Sequence, residues 1–395
     1  MERLFYRIRL AFVLLTFTFA LSLGGCANIK QASQSSTSLS NFLGFSELPD
    51  WYITSKYSYS DSQWIENDFN TKIHYRDVGE GPVILLLHSE LSSLHAWEDW
   101  IDILSNDFRL IAIDLPGSGL TGAPHCVSDS TDTCAENLSS DYIVHTLEYF
   151  IEDLGINKFS LIGSSYSGYL AAQYAGLQHP EKLDKLVLIS PKGFQQELPW
   201  ILNYATTSGM DIFSKYIQPS GVITEIVQDF YGLEKPSRAV TERYLHLAQT
   251  EGTHATNIKQ LKLVRALMEH GMLLDLSEIE VPSLIMWGQS DKWGDPSHAQ
   301  RWHKALPNST LVTYPNYGHA LMEEGKELTA ADAAAFINEE PVPSLNNGVC
   351  NGLSIEDHLN EFDDDSLFGT ELEDRLLYTS PSPRDKRQSR MPSSA

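Results

Sequence analysis

Phe159–Tyr169 reads FSLIGSSYSGY, with four serines between positions 160 and 167, an apolar run before them and a helical pattern after. A strand that turns sharply into a helix can display a nucleophile at its tip. Such a turn is crowded and holds the displayed residue at strained backbone angles, so the residues two before and two after it must be small. Ser165 meets that condition, with Gly163 before it, Ser167 after it and Gly168 next. Ser164 would have Ile162 two before, and Ser167 would have Tyr169 two after, both too bulky. The register therefore selects Ser165, in a pentapeptide that ends in serine where G-x-S-x-G ends in glycine.

Outward from this turn, similar apolar runs recur: PVILLLH, FRLIAID, LDKLVLIS, SLIMWG and STLVTY. They are unbroken rather than alternating, as expected for strands buried on both faces of a mainly parallel sheet. WIENDFNTKIHYRD reads as two short strands around an Asn/Asp turn. Helical stretches such as SDYIVHTLEYFIEDLG separate the strands, and the alternation predicts a wound α/β sheet flanked by helices. One segment interrupts it. Residues 196–272 carry no strong strand run and are rich in aromatics, including Trp200, Tyr204, Phe213, Tyr216, Phe230 and Tyr231. This is the pattern of a helical cap inserted between core segments 49–195 and 273–340.

A serine hydroxyl needs a base, and the base needs an orienting carboxylate. In a fold of this kind they follow the serine in the order acid, then histidine. Asp291 comes just after SLIMWG, and His319 comes after STLVTYPNYG. Three candidate groups thus fall at the carboxyl ends of three strands, where open α/β sheets place their sites. Asp295, in GDP, is the rival acid and is read as a cap for the helix from Pro296. His298, His303 and His358 lack a comparable setting. A developing oxyanion would be met by the backbone N–H of Tyr166 and by that of Glu90, in the loop after VILLLH.

From about Trp64 to Ile337 the chain resembles the α/β-hydrolase superfamily, in its capped form. The matching pieces are YRDVGEGPVILLLH, SSLHAWEDW, IDLPGSGLTG, GSSYSG, WGQSD and GHALMEE. The resemblance implies Ser165 as nucleophile, Asp291 as acid and His319 as base. It implies hydrolysis of a carboxylic ester through an acyl-enzyme, with no metal or organic cofactor. Capped relatives that open epoxides or remove halides use an Asp nucleophile, which Ser165 excludes. Hydrolysis of a carbon–carbon bond in a dienoic ketone, amide or peptide cleavage and perhydrolysis stay open. The chain departs from the family where relatives carry His-Gly: here it reads His88-Ser89-Glu90. A Glu90 carboxylate pointing inward would oppose an oxyanion, whereas one pointing outward would leave only its N–H to matter. His88 is read as shaping the loop. That loop is the one feature favouring a rival of another class, a non-catalytic membrane-anchored binding scaffold.

The ends of the 395-residue chain read differently. Arg3, Arg7 and Arg9 precede an apolar run from Leu10 to Leu23, too short to span a bilayer comfortably. Leu23-Gly24-Gly25-Cys26 resembles a bacterial lipobox, which implies a signal peptide over 1–25 and lipidation of Cys26. The expected address is the cell envelope, on the periplasmic face of the outer membrane in a host that has one. Residues 26–48 suit a serine-rich tether. Cys126 and Cys134 flank a polar loop and are a disulfide candidate in an oxidising compartment. Their spacing is not that of a metal site. Residues 341–375 form an acidic tail, and 376–395 resemble read-through of a sequencing adapter. A formal charge of −24 argues against a nucleic-acid partner. Oligomeric state cannot be read from the sequence.

Overall fold

The computed structural model describes residues 47–67, 69–122, 124, 138–177, 181–207, 220–250 and 253–346. Cys26, Cys126, Cys134, the signal segment and the acidic tail beyond 346 lie outside the described residues. A helix α1 (Asp50–Tyr57) precedes the hairpin β1 (Ser62–Glu66) and β2 (Lys72–Val78). There follow β3 (Val83–Leu87), α2 (Glu98–Leu104), β4 (Arg109–Ile113), α3 (Ser140–Asp153), β5 (Phe159–Ser164), α4 (Tyr166–Leu177) and β6 (Leu183–Ile189). Between β6 and β7 the described elements are all helical: α5 (Trp200–Thr206), α6 (Ser220–Phe230), α7 (Arg238–Ala248) and α8 (Thr253–His270). The chain closes through β7 (Ser283–Gly288), α9 (His298–Ala305), β8 (Ser309–Tyr314), α10 (Leu321–Glu324), α11 (Lys326–Ile337) and α12 (Pro343–Asn346).

The eight strands form one sheet in the order β1-β2-β4-β3-β5-β6-β7-β8. β1 pairs antiparallel with β2, and β2 with β4; every other pairing is parallel. This is the α/β-hydrolase fold expected from the sequence. The continuous apolar runs have a direct cause. Side chains alternate across a strand, so with helices on both faces the central strands β5 and β7 are buried at every position, whereas the edge strand β1 has none buried. Ile84 and Leu86 join the hydrophobic cluster that contains Trp100 and Ile101 of α2 and Ala330 of α11. Leu85 and Leu87 join the opposite cluster, with Phe150 of α3 and Leu170 of α4. Each such leucine or isoleucine contributes about 1.5–3 kcal/mol of burial free energy. Ser139 caps α3 by accepting the Tyr142 N–H at 3.2 Å, and Ser237 caps α7 by accepting that of Val240 at 3.2 Å. Among the described residues, no helix is long and apolar enough to cross a membrane.

Candidate active site

Ser165 stands between the end of β5 and the start of α4 with φ +58°, the left-handed region that a serine adopts only where its surroundings force it. Its neighbours explain how. A Cβ on Gly163 would lie 2.3 Å from the Ser167 carbonyl oxygen, and one on Gly168 would lie 2.8 Å from Pro191 Cβ. Both positions must be bare for strand and helix to meet this closely. Ser167, in the place of the usual glycine, donates from Oγ to the His88 carbonyl at 2.5 Å. The substitution thus ties the turn to the loop after β3. The Ser165 N–H donates to Ile189 O at 2.8 Å, and Lys192 N–H donates to Ser165 O at 3.0 Å, which fixes the turn to the end of β6.

The loops after β7 and β8 bring Asp291 and His319 to this serine. Ser165 Oγ lies 2.7 Å from His319 Nε2, and His319 Nδ1 lies 2.7 Å from Asp291 Oδ2. Asp291 Oδ1 accepts the N–H groups of Trp293 and Gly294, each at 2.8 Å, which fixes its carboxylate plane. Burial alone would raise the Asp291 carboxyl. His319, Lys192 and the Gly294 amide outweigh burial and hold it below the usual range. The rival Asp295 accepts the Ser297 N–H at 2.9 Å and serves as a turn cap. His319 is held from the end of α6 as well: its backbone N–H donates to the Phe230 carbonyl at 2.7 Å, and the Phe230 ring lies 5.7 Å from its imidazole. Ser165 is 0 % exposed, so the site is closed above the nucleophile. A cleft of about 370 Å³, lined by Tyr57, Tyr59, His95, Tyr231, Arg243 and Glu323 among others, contains none of the three residues.

The loop after β3 departs from the expected arrangement. Its serine costs nothing in backbone terms: the left-handed residue there is Leu91 (φ +60°), not Ser89. His88 is buried with both ring nitrogens engaged. Nδ1 donates to Ser89 O at 2.7 Å, and Nε2 accepts the Leu115 N–H at 3.0 Å. It shapes the loop. Glu90, expected to offer its backbone N–H, instead turns its carboxylate inward. Oε2 accepts the Tyr166 N–H at 3.2 Å, while Oε1 lies 3.1 Å from Ser165 Oγ and accepts the Trp293 indole N–H at 2.8 Å. Burial would raise the Glu90 carboxyl, but Lys192, His319, the indole and its own backbone N–H hold it below the usual range. The two amides expected to meet an oxyanion thus both face this carboxylate.

Trp293 and Lys192 were not singled out in the sequence. Lys192 is fully buried, and its Nζ donates to the Trp293 carbonyl at 2.5 Å. Burial pushes its ammonium down, opposed by Glu90 and Asp291. In SPKG it reads as an ordinary turn lysine, and only its place after a central strand hinted otherwise. A second chain of the same residue types joins Ser62, His74 and Asp114. His74 Nε2 lies 2.8 Å from Ser62 Oγ, and Nδ1 lies 2.7 Å from Asp114 Oδ2. Here Ser62 is a strand residue whose Oγ also accepts the Tyr59 N–H at 2.9 Å, with no left-handed turn. Asp114 fastens two loops by accepting the N–H groups of Leu94 and Leu120 at 2.7 and 2.8 Å. That array is a structural clasp.

A serine on a strained strand-to-helix turn, facing a histidine and an aspartate from later strands of a wound sheet, defines the class of α/β hydrolases. Residues 82–326 match the alpha/beta hydrolase fold family, and the chain belongs to it. It is similar to monoacylglycerol lipase ABHD6 of Bos taurus, 26% identical over 274 residues that cover 66% of this chain and 76% of that one. Among solved structures it resembles the esterase EaEST of Exiguobacterium antarcticum (TM-score 0.58, 19% identity, 70% of this chain and 99% of the other). It also resembles the meta-cleavage product hydrolase CumD of Pseudomonas fluorescens IP01 (TM-score 0.59, 19% identity, 70% and 97%). The chain is an enzyme of the esterase- and lipase-like hydrolases.

Proposed function

We propose that the chain hydrolyses carboxylic esters through an acyl-enzyme on Ser165. The observation that carries this reading is the unbroken line of hydrogen bonds from the strained serine through His319 to Asp291. Ser165 Oγ attacks the ester carbonyl as its proton passes to His319 Nε2, and Asp291 fixes the tautomer that leaves Nε2 free to receive it. The carbonyl oxygen becomes an oxyanion and needs the Tyr166 N–H, with the Glu90 N–H as second donor, so the Glu90 carboxylate must first leave that place. His319 then returns its proton to the leaving alcohol. Water, deprotonated by His319, attacks the acyl carbon, and the acid departs with Ser165 restored. The aromatic helical segment between β6 and β7 would cover the acyl or alcohol group. Turnover of p-nitrophenyl esters from acetyl to palmitoyl tests the reading, and the chain-length optimum sizes the pocket.

The likeness to CumD keeps carbon–carbon cleavage of a dienoic ketone as second reading, because the same three residues serve it. Turnover of such a ketone without ester turnover would select it. We also propose that Cys26 carries lipid and holds the enzyme to the cell envelope, on the strength of the Leu23–Cys26 motif. Cys26→Ala should abolish metabolic labelling by a palmitate probe; undiminished labelling would refute the anchor.

A further inference from the structure

His319 reaches Ser165 from a loop wedged between two others, backbone against backbone. On one side lies the loop after β7. A Cβ on Gly288 would lie 2.1 Å from the Gly318 carbonyl oxygen, and the Ser290 N–H donates to Tyr317 O at 3.0 Å. On the other side lies the segment that follows α6. A Cβ on Gly318 would lie 2.5 Å from the Gly232 nitrogen, and one on Gly232 would lie 2.5 Å from the Asn316 carbonyl oxygen. Phe230 O accepts the backbone N–H groups of both His319 and Ala320, at 2.7 and 3.1 Å. Side chains at these glycines would force the three layers apart. Two amides at the seam find their acceptor in a single side chain. Glu324 of α10 takes the Gly318 N–H on Oε1 and the Gly232 N–H on Oε2, each at 2.8 Å. A carboxylate offers two acceptor oxygens for such a pair, whereas a side-chain amide offers one.

We propose that Glu324 is a positioning residue for the catalytic histidine: by bridging the Gly318 and Gly232 amides it fixes the loop that carries His319 against the end of α6. It touches neither substrate nor reacting atoms, and the role rests on Ser165 and His319 acting as nucleophile and base. The bridge holds the residue directly before His319, and the Phe230 carbonyl holds His319 itself. Two consecutive residues of the loop are thus fastened to one short segment. Proton transfer from Ser165 Oγ depends on that placement, since a displacement of about 1 Å can cost about a hundredfold in rate. The segment after α6 then serves the chemistry as a backing for the base.

The test compares full-length wild type, Glu324→Gln and Glu324→Asp at pH 8. The readings are steady-state turnover of a p-nitrophenyl ester, the rate of fluorophosphonate labelling and the melting temperature. In labelling the Ser165 Oγ–P bond forms, fluoride leaves and His319 takes the hydroxyl proton, so the pair is read without the ester. Gln has the shape of Glu, but its NH2 would meet one of the two amides donor to donor. Glu324→Gln should lower kcat and the labelling rate together by at least about tenfold, with KM within about twofold. Its Tm at pH 8 should not fall, because the substitution also removes a carboxylate that burial disfavours. Turnover and labelling within about twofold of wild type would overturn the role. So would a rise in KM at unchanged kcat, or a loss of activity that only accompanies a lower Tm, the mark of a plain structural clasp. Absence of both turnover and labelling in folded wild type would overturn Ser165 as nucleophile, and the positioning role with it. If Glu324→Gln does not fold, Glu324→Asp decides by the same readings, since it keeps both oxygens but draws them back by one methylene.

Discussion

At the scale of single residues, the two aspartates after β7 give the sharpest contrast. Asp291 holds the imidazole at 2.7 Å, whereas Asp295 holds Ser297 at the following turn, accepting its N–H at 2.9 Å. Asp291→Asn should therefore lower kcat by about a thousandfold or more, because the wrong histidine tautomer would face the serine. Asp295→Ala should keep turnover within about twofold and cost about 1 kcal/mol of stability, the worth of a lost cap. Steady-state kinetics and a urea titration of the two variants check both statements. Ser165, Asp291 and His319 were legible because each sits at a strand end with a local reason for its residue type. The direction of the Glu90 side chain was not. A glutamate after β3 reads the same whether it points out or in, and the cause of the inward turn lies in Lys192 and Trp293, roughly a hundred and two hundred residues away in sequence.

At the scale of elements, the turn after β5 and the loop after β8 each depend on close approach. Gly163 leaves no room for a side chain, since its Cβ would meet the Ser167 carbonyl oxygen at 2.3 Å. Gly163→Ala should cost about 1–3 kcal/mol and lower turnover at least about a hundredfold by displacing Ser165, as thermal melts and ester assays would read. The histidine loop is joined to the end of α6 by Glu324, whose carboxylate accepts the N–H groups of Gly318 and Gly232, each at 2.8 Å. Burial raises the Glu324 carboxyl to about 7, against the pull of those two amides and with help from Asp291 and Glu323. An unfolded glutamate ionises near 4.5. Between those values the folded chain keeps a proton that the unfolded chain has lost, so stability falls as pH rises from about 4.5 through about 7. Glu324→Gln should flatten that slope in Tm against pH; an unchanged slope would show that other groups set it.

At the scale of the whole molecule, the sheet was the most legible feature. Its central strands are buried on both faces, so they announced themselves as unbroken apolar runs, whereas the edge hairpin β1–β2, partly exposed, was readable only from the Asn/Asp turn between its strands. The helices between β6 and β7 were readable only as an absence of strands, because their apolar residues are divided between the two hydrophobic clusters. The short α1 ahead of the sheet went unread: only Ile53 is buried in it, and Trp51 is 72% exposed. Closure of the site above Ser165 is likewise a property of the assembled fold, since it needs the Phe230 carbonyl on the histidine loop and Glu90 on the nucleophile. The most direct single measurement is turnover of a p-nitrophenyl ester by wild type and Ser165→Ala, with intact-mass analysis of the protein during the reaction. Wild type should turn over and carry the acyl mass on Ser165, and Ser165→Ala should lose the adduct and at least about a thousandfold in kcat. Undiminished turnover by a folded Ser165→Ala protein would contradict the assignment of the nucleophile, and the mechanism built on it would fall.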